Sequence, residues 1–172
     1  CFDEMGIPMD SVLKSASTKW NFNNYHPGLV GGHCVPVDPY YLIDEAKKFS
    51  TNLPLIAQSR KTNEAAVANF YRKILNKLTS PYTSSYVLIN GLSFKPDVQD
   101  IRNSQVPPLK RMLEQNGVKV DVYDPSVKAE VAKNSFGIDL LKKIPSFDNY
   151  HLIVSPYDLS IKKGGKYSSS LS

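Results

Sequence analysis

Residues 86–91, Tyr-Val-Leu-Ile-Asn-Gly, are the clearest strand signal in the chain. A short apolar run that ends in glycine is typical of a strand buried in a parallel sheet. Apolar residues then recur at helical spacing over residues 109–113, and Asn-Gly at 116–117 ends that helix. A strand followed by a helix predicts the first half of a βαβ unit.

The alternation continues downstream. Valines within residues 118–122 alternate with polar residues as a second strand, residues 126–134 suit a short helix, and residues 151–155 suit a third strand. Strands that alternate with helices predict a parallel sheet, so we expect an α/β fold. Residues 79–85 contain Ser, Thr and Pro and predict the turn that precedes the sheet.

The part of the chain before the sheet predicts helices joined by a long loop. Asp10 suits the N-cap of a short helix, and residues 20–37, rich in Asn, Gly and Pro, suit the loop. Asp38 suits an N-cap with proline at the first helical position, in a helix that ends near Phe49. Residues 55–78 carry the longest helical pattern, without Gly or Pro. A helix of that length bridges two domains or packs against a partner.

Composition divides the chain into three parts. Residues 1–80 form a helical region, residues 81–160 a sheet domain, and residues 161–172 a polar, low-complexity tail that we expect to be disordered. We expect no final strand in that tail, so the sheet domain would expose an unpaired edge.

Charge and length exclude several classes of protein. The 172 residues contain 21 Lys and Arg against 16 Asp and Glu, a net charge of +5 that suits an anionic partner such as a nucleotide. The cations are scattered apart from Lys162, Lys163 and Lys166, which argues against a nucleic-acid binder. No apolar run approaches the roughly 20 residues of a membrane span. Acidic residues near the N-terminus argue against a signal peptide.

The strongest chemical signal surrounds Cys34, in Pro-Gly-Leu-Val-Gly-Gly-His-Cys-Val-Pro-Val-Asp-Pro-Tyr-Tyr-Leu at residues 27–42. Cys34 precedes a predicted helix start, where amide donors and the helix dipole favour a nucleophilic thiolate. Asp38, four residues on, could orient a water or a base. The competing interpretations are a small buried cysteine and an aspartate that only caps its helix.

Other uses of the two cysteines remain open. Cys1 and Cys34 allow one disulfide or two free thiols in a reducing compartment. A zinc site with His26, His33 and Cys34 lacks the usual ligand spacing and a fourth ligand, so we expect no metal. A cysteine hydrolase would need His151 to approach Cys34 from another layer of the fold.

Three motifs resemble those of one known family, the UDP-glucose/GDP-mannose dehydrogenases, which are nucleotide-sugar 6-dehydrogenases. Residues 28–42 are similar to its active-site signature, in the form most like the members that oxidise UDP-N-acetylhexosamines, the UDP-N-acetyl-mannosamine dehydrogenases among them. Residues 90–104 resemble its Gly-Leu-x-Phe-Lys motif, with an Asp-x-Arg-x-Ser end, and residues 120–125 its strand followed by Asp-Pro.

The resemblance implies a fold and a reaction. Family members have an NAD-binding Rossmann domain, a central helical region that dimerises, and a C-terminal Rossmann-like domain for the nucleotide sugar. They oxidise a sugar 6-hydroxyl to a carboxylate with two NAD per turnover. By resemblance, Cys34 holds the sugar C6 as a thiohemiacetal and then a thioester, and Asp38 handles protons or water. Gly31 and Gly32 would let the backbone approach the sugar.

Two cations also match the family pattern. Lys95 matches a lysine near the nucleotide-sugar phosphates, and Arg102 matches an arginine at the NAD end of the site. Cations on loops beside a strand end suit a diphosphate. Without the resemblance, Lys95 is a solvated loop lysine and Arg102 pairs with Asp97 or Asp100 at the surface.

The whole protein is therefore expected to be a cytoplasmic, homodimeric, NAD-dependent enzyme of polysaccharide biosynthesis, paired through the helix at 55–78. The 172 residues contain no Gly-x-Gly-x-x-Gly fingerprint and begin with Cys1. We expect a fragment that is inactive alone, with the NAD domain upstream. The alternative is a non-catalytic nucleotide-binding or dimerisation fragment.

Overall fold

The computed structural model describes residues 2, 5–79 and 81–164. Its helices and strands follow in chain order: α1 (Met9–Ala16), α2 (Asp38–Lys48), α3 (Pro54–Lys77), β1 (Tyr86–Asn90), α4 (Val106–Gln115), β2 (Lys119–Tyr123), α5 (Ala129–Phe136), β3 (Leu152–Val154) and β4 (Ile161–Lys163). Short 3-10 turns precede β1 and β3. In the described ranges, no helix is both long and apolar enough to cross a membrane.

The strands form one mostly parallel sheet in the order β2-β1-β3-β4. β1 lies in the centre and pairs in parallel with both neighbours, with Leu88 opposite Asp121 on one side and Ile153 on the other. Helix α4 connects β1 to β2 as a crossover, which a parallel pair requires. The predicted α/β fold with a parallel sheet is confirmed.

β4 was not predicted. Residues 161–163 were assigned to a disordered tail, and that prediction was wrong, because Ile161–Lys163 pair antiparallel with β3. Backbone hydrogen bonds to β3 order the segment together with Ile161, which packs against the core, and the strand covers the sheet edge that was expected to be unpaired. The rest of the predicted tail, residues 165–172, lies outside the described residues.

The core lies on the helical face of the sheet and reaches back across residue 80. Alternate residues of β1, Val87 and Ile89, are fully buried in one cluster with Phe70 and Ile74 of α3. Leu109 and Leu113 of α4 belong to the same cluster. The second half of α3 is therefore part of the sheet's core, although composition places a domain boundary after it.

The other face of the sheet has a smaller cluster. Leu88, Ile153 and Tyr150 are buried there. The hydroxyls of Tyr86 and Tyr150 both donate to Asp121 Oδ2, at 2.6 and 2.7 Å. This cluster lies on the side of the sheet away from α3 and α4, because the side chains of a strand alternate between its faces.

The predicted N-cap residues were less accurate than the predicted extent of the longest helix. α3 runs from Pro54 to Lys77, within one residue of expectation at each end. Asp10 and Asp38 were predicted as N-caps, but Pro8 and Val37 hold those positions. Both aspartates lie in the first helical turn instead, where a carboxylate still interacts favourably with the helix dipole.

Candidate active site

Two loops meet to form the site. The cysteine loop, residues 28–37, precedes α2, and the β1–α4 loop, residues 91–105, follows the central strand. The Gly32 amide donates to the Arg102 carbonyl oxygen at 2.9 Å, and Asn103 Nδ2 donates to the Gly32 carbonyl oxygen at 2.9 Å. These two bonds join the loops just before Cys34, so the sheet domain positions the cysteine loop.

Gly31 and Gly32 are required by this junction. A Cβ at Gly31 would lie 2.8 Å from the carbonyl oxygen of Asn103. Gly32 has a φ of +89°, and a Cβ there would lie 3.2 Å from the ring of Phe94. The sequence predicted close approach at these glycines to a sugar. The close approach that the structure has is to the β1–α4 loop, and the contact with sugar stays a prediction.

Helix α3 holds the cysteine loop from the other side. Arg60 Nη1 lies 3.5 Å from the Val35 carbonyl oxygen, and Asn63 Nδ2 lies 3.5 Å from that of Val30. Arg60 is only 7% exposed, and its Nε has no hydrogen-bond partner. Neither residue was predicted to belong to the site. The two residues are three positions apart and therefore lie on one face of α3. This spacing is the signal in the sequence that could have indicated a shared role.

Cys34 is a free, exposed thiol at the end of this junction. Its carbonyl oxygen accepts hydrogen bonds from the amides of Val37 (2.9 Å) and Asp38 (2.8 Å). These amides at the start of α2 were expected to favour a thiolate, but they are used within the backbone turn. Cys1, and with it the alternative of a disulfide to Cys34, lies outside the described residues.

Asp38 shares a groove with Cys34. The groove has a volume of about 600 Å³ and opens between α2 and the start of α3. Its other walls are mostly apolar and include Pro39, Leu42 and Ile56. The structure thus brings together the two residues predicted to act on the sugar carbon. Within the described part of the chain, no three His, Cys, Asp or Glu side chains are grouped to hold a metal.

Arg102 is paired with Asp100. Arg102 Nη2 lies 2.6 Å from Asp100 Oδ2, and Nε lies 2.9 Å from Oδ1. The hydrogen bonds from Arg102 lower the pKa of Asp100 to about 2. His33 Nδ1 approaches the same carboxylate at 3.6 Å, so this pair borders the cysteine loop. Asp100 was one of the two partners expected for Arg102 at the surface.

Lys95 is exposed on the β1–α4 loop, next to the residue that packs on the glycines. Its Nζ lies 5.6 Å from the centroid of the Phe94 ring. Because the same ring borders Gly32 and the Cβ of Phe94 borders Gly31, Phe94 connects the predicted phosphate-binding lysine to the cysteine loop. Lys95 is therefore an exposed cation on the loop that packs against Gly31 and Gly32.

The described residues do not fit the pyrophosphate of NAD at the turn after β1. In dinucleotide-binding sheets, backbone amides at that turn hold the phosphates. Here the amides of Leu92 and Ser93 donate to Asp124 Oδ2, at 2.8 and 3.0 Å. Arg102 is the one residue of this site that the resemblance assigns to NAD.

Family models match both parts of the chain. The central domain of the UDP-glucose/GDP-mannose dehydrogenase family matches residues 1–65, and the UDP-binding domain of the same family matches residues 88–160. The chain belongs to the UDP-glucose/GDP-mannose dehydrogenase family. The resemblance drawn from the three motifs is thus confirmed.

Individual family members agree with this assignment. A UDP-N-acetyl-D-glucosamine 6-dehydrogenase of Pseudomonas aeruginosa is 41% identical over 140 residues, 80% of this chain and 33% of that protein. One of the same name from Salmonella typhi is 34% identical over 167 residues, 95% of this chain and 39% of that protein. The chain therefore spans about a third of the length of these relatives.

Solved structures of the family share the fold. A UDP-D-ManNAc dehydrogenase from Pyrococcus horikoshii is 26% identical with a TM-score of 0.71, over 90% of this chain and 35% of that one. An NDP-N-acetyl-D-galactosaminuronic acid dehydrogenase from Methanosarcina mazei Go1 is 25% identical with a TM-score of 0.75, over the same shares. The sheet and helices described above are thus those of the family's Rossmann-like fold.

Proposed function

We propose that these residues belong to an NAD-dependent UDP-N-acetylhexosamine 6-dehydrogenase that makes a nucleotide uronic acid for polysaccharide biosynthesis. The observation that carries the proposal is the groove shared by an exposed thiol, Cys34, and an exposed carboxylate, Asp38. The names of the relatives support the substrate class, since the family members reported above act on nucleotide sugars that carry an N-acetylated hexose.

The chemistry assigned to this chain takes place at the sugar C6. The sulfur of Cys34 adds to the C6 aldehyde and the carbonyl oxygen takes a proton, which forms a thiohemiacetal. After oxidation to the thioester, water attacks the carbonyl carbon and the thiol leaves, which releases the carboxylate. Asp38 orients that water or accepts its proton. The chemistry that NAD would supply, when bound, is the hydride acceptor for each oxidation.

The nucleotide part of the substrate is assigned to the β1–α4 loop. Lys95 is an exposed cation, and Phe94 connects it to the cysteine loop. A lysine in that place attracts a diphosphate as a point charge. The β1–α4 loop thus aligns the nucleotide end of the substrate while the cysteine loop holds the sugar end.

Calorimetry with UDP tests this assignment. Micromolar binding by the chain, weakened at least tenfold in Lys95→Ala, is the expected result. Lys77→Ala is the matched control, because Lys77 is an exposed lysine at the end of α3 and not on the β1–α4 loop. Absence of UDP binding by the folded chain would contradict the proposal.

Alkylation tests the role of Cys34 separately. A UDP-N-acetylhexosamine 6-aldehyde is expected to slow the reaction of Cys34 with iodoacetamide, since the adduct occupies the sulfur. UDP alone should protect much less, and Cys34→Ser should lose the labelled peptide. Equal rates with and without the aldehyde would exclude the thiohemiacetal.

We further propose that the 172 residues alone bind nucleotide without oxidising the sugar. The amides at the turn after β1 are taken by Asp124, and the sequence has no Gly-x-Gly-x-x-Gly. The test is NADH formation from a panel of UDP-sugars, with none expected. Robust turnover by this chain would refute the proposal that it binds nucleotide without oxidising the sugar. It would also refute the alternative of a non-catalytic nucleotide-binding fragment.

A homodimer through α3 is part of the same proposal. Exposed apolar side chains occur on α2, at the residue after it and in the first turn of α3: Tyr41, Leu42, Phe49 and Leu55. An apolar surface of this kind is typical of an interaction site. Sedimentation should show a dimer that Leu55→Glu dissociates, whereas a monomer at all concentrations would exclude it.

The exposed free thiol of Cys34 further supports a reducing, cytoplasmic location.

A further inference from the structure

A buried carboxylate directly follows β2, and the chemistry at Cys34 does not use it. Asp124 is 5% exposed. Its Oδ2 accepts hydrogen bonds from the amides of Leu92 (2.8 Å) and Ser93 (3.0 Å), and its Oδ1 accepts one from the amide of Ser126 (2.9 Å). A buried carboxylate is costly unless donors surround it, so these bonds fix Asp124 and the β1–α4 loop relative to each other.

Two hydroxyls extend this set of contacts to Lys95. The Tyr157 hydroxyl lies 3.0 Å from Asp124 Oδ2 and 2.8 Å from Ser93 Oγ. Ser93 Oγ lies 2.8 Å from the carbonyl oxygen of Lys95. Burial raises the pKa of Tyr157, so its hydroxyl keeps its proton and acts as a donor. Ser93 therefore links the backbone of Lys95 to Asp124: its hydroxyl contacts the Lys95 carbonyl oxygen, and its amide donates to the Asp124 carboxylate.

The Asp124 carboxylate occupies the backbone donors that hold phosphate in Rossmann sheets of the dinucleotide type. In those sheets, the amides of the turn after the first strand point at the ligand. Here the amides of Leu92 and Ser93, in that turn, already donate to a carboxylate of the chain itself. A phosphate at this turn would find its donors occupied and would be repelled by a like charge.

We propose that Asp124 is a positioning residue that holds the β1–α4 loop so that Lys95 meets the diphosphate of the nucleotide sugar outside the turn after β1. This inference rests on the proposed function, because it takes the nucleotide sugar as the ligand of Lys95. Asp124 touches no atom of the substrate and acts through Ser93 and the backbone of Lys95.

Two variants test the inference by comparing UDP with uridine. Asp124→Asn replaces an acceptor oxygen with an N–H donor that faces other donors, and Tyr157→Phe removes one hydroxyl without removing the ring. Both should weaken UDP binding about five- to tenfold. Uridine binding, followed by NMR titration, should stay unchanged because it lacks the diphosphate. Equal losses for UDP and uridine would show a merely structural role and overturn the inference.

The matched control lies on the other face of the sheet. Tyr150→Phe also removes a hydroxyl that donates to an aspartate, Asp121, at 2.7 Å, but it is remote from the β1–α4 loop. UDP binding by this variant should equal that of the wild type. In a Lys95→Ala background, Asp124→Asn should cause no further loss, since the two changes act on one interaction. An undiminished loss in that background contradicts the inference.

Amide hydrogen exchange separates this inference from the proposed function. Exchange at Leu92 and Ser93 should be at least tenfold faster in Asp124→Asn than in Tyr150→Phe, because the carboxylate that protects those amides is gone. A wild-type chain that binds no UDP would refute the proposed function, and the exchange rates would still decide whether Asp124 holds the loop. Unchanged exchange at both amides would refute the positioning role.

Discussion

Asp100 is a carboxylate in a cationic setting at the border of the cysteine loop. Arg102 binds it through two nitrogens, and His33 approaches it from the loop itself. A guanidinium that binds a carboxylate through two nitrogens is held in a more specific orientation than one that makes a single contact. The pair therefore orients the guanidinium that the family resemblance places near the cofactor end of the site.

The pKa of Asp100 is the first prediction at this scale. Arg102 lowers it to about 2 from an ordinary 3.8, so the pair's contribution to stability is present above about pH 4 and is lost as the pH falls toward 2. Carbon-13 NMR of the carboxyl should show this low value. Arg102→Ala should return it toward the ordinary value, while Lys133→Ala, which breaks the pair with Asp139, should leave it unchanged. An ordinary pKa in the wild type would contradict the assignment.

Gly31 gives a second prediction. Gly31→Ala places a methyl group 2.8 Å from the carbonyl oxygen of Asn103, so one of the two loops has to shift. We expect a loss of about 1–3 kcal/mol in the free energy of unfolding and faster amide exchange at Gly32. Urea unfolding and hydrogen exchange measure the two effects. Wild-type values for both would mean that the loops are not joined at this point.

Part of the site could be predicted at the residue scale, and part could not. Cys34 and Asp38 are four residues apart, so their common groove follows from local sequence. Asn103 and Asp124 contact residues 71 and 32 positions away, at Gly32 and Leu92. Only the assembled sheet brings such partners together, and no local pattern indicates which of several Asn or Asp residues meets them.

At the scale of elements, α3 has two halves with different surroundings. Phe70 and Ile74 are 1% and 0% exposed, whereas Leu55 in the first turn is 82% exposed. The first half instead contacts the cysteine loop through Arg60 and Asn63. One helix thus supports both the sheet and the loop that bears the thiol.

Two substitutions on α3 should therefore differ widely in their effect on stability. Ile74→Ala removes a fully buried side chain from the core and should lower the free energy of unfolding by about 2–5 kcal/mol. Leu55→Ala removes a side chain that is exposed in the monomer and should change the monomer's free energy of unfolding by less than about 0.5 kcal/mol. Urea unfolding of both variants, at a concentration at which the chain is monomeric, is the measurement. Similar losses in the two would show that the first half of α3 is buried within the monomer.

The elements themselves were largely predictable. Apolar periodicity located α3, β1, β2 and β3, because each presents a regular apolar pattern to the core. β4 has no such pattern: Ile161 alone packs against the core, two exposed lysines follow it, and pairing with β3 orders the segment. A strand with one apolar contact and backbone hydrogen bonds leaves little trace in the sequence.

At the scale of the whole molecule, the sheet and α3 form one folding unit. The helical face of the sheet, at Val87 and Ile89, is covered by α4 and by the second half of α3. A sheet that lacks part of this cover exposes apolar surface that it cannot bury elsewhere.

A chain that begins at residue 81 should consequently fail to fold. It lacks Phe70 and Ile74 and leaves the helical face of β1 partly bare, whereas a chain that begins at residue 54 retains all of α3. Dispersed amide NMR spectra and cooperative thermal unfolding are expected only for the longer chain. Cooperative unfolding of the shorter one would mean that the sheet domain is complete without the helix.

The short strand β4 has a consequence for behaviour at high concentration. An open sheet edge is a template on which a second molecule can add a strand, and this begins aggregation. On the β3 side, the outermost strand is only three residues long and carries two consecutive exposed lysines, Lys162 and Lys163. A second copy that approached this edge in register would bring like charges together. Residues that resemble a disordered tail thus help to keep the protein in solution.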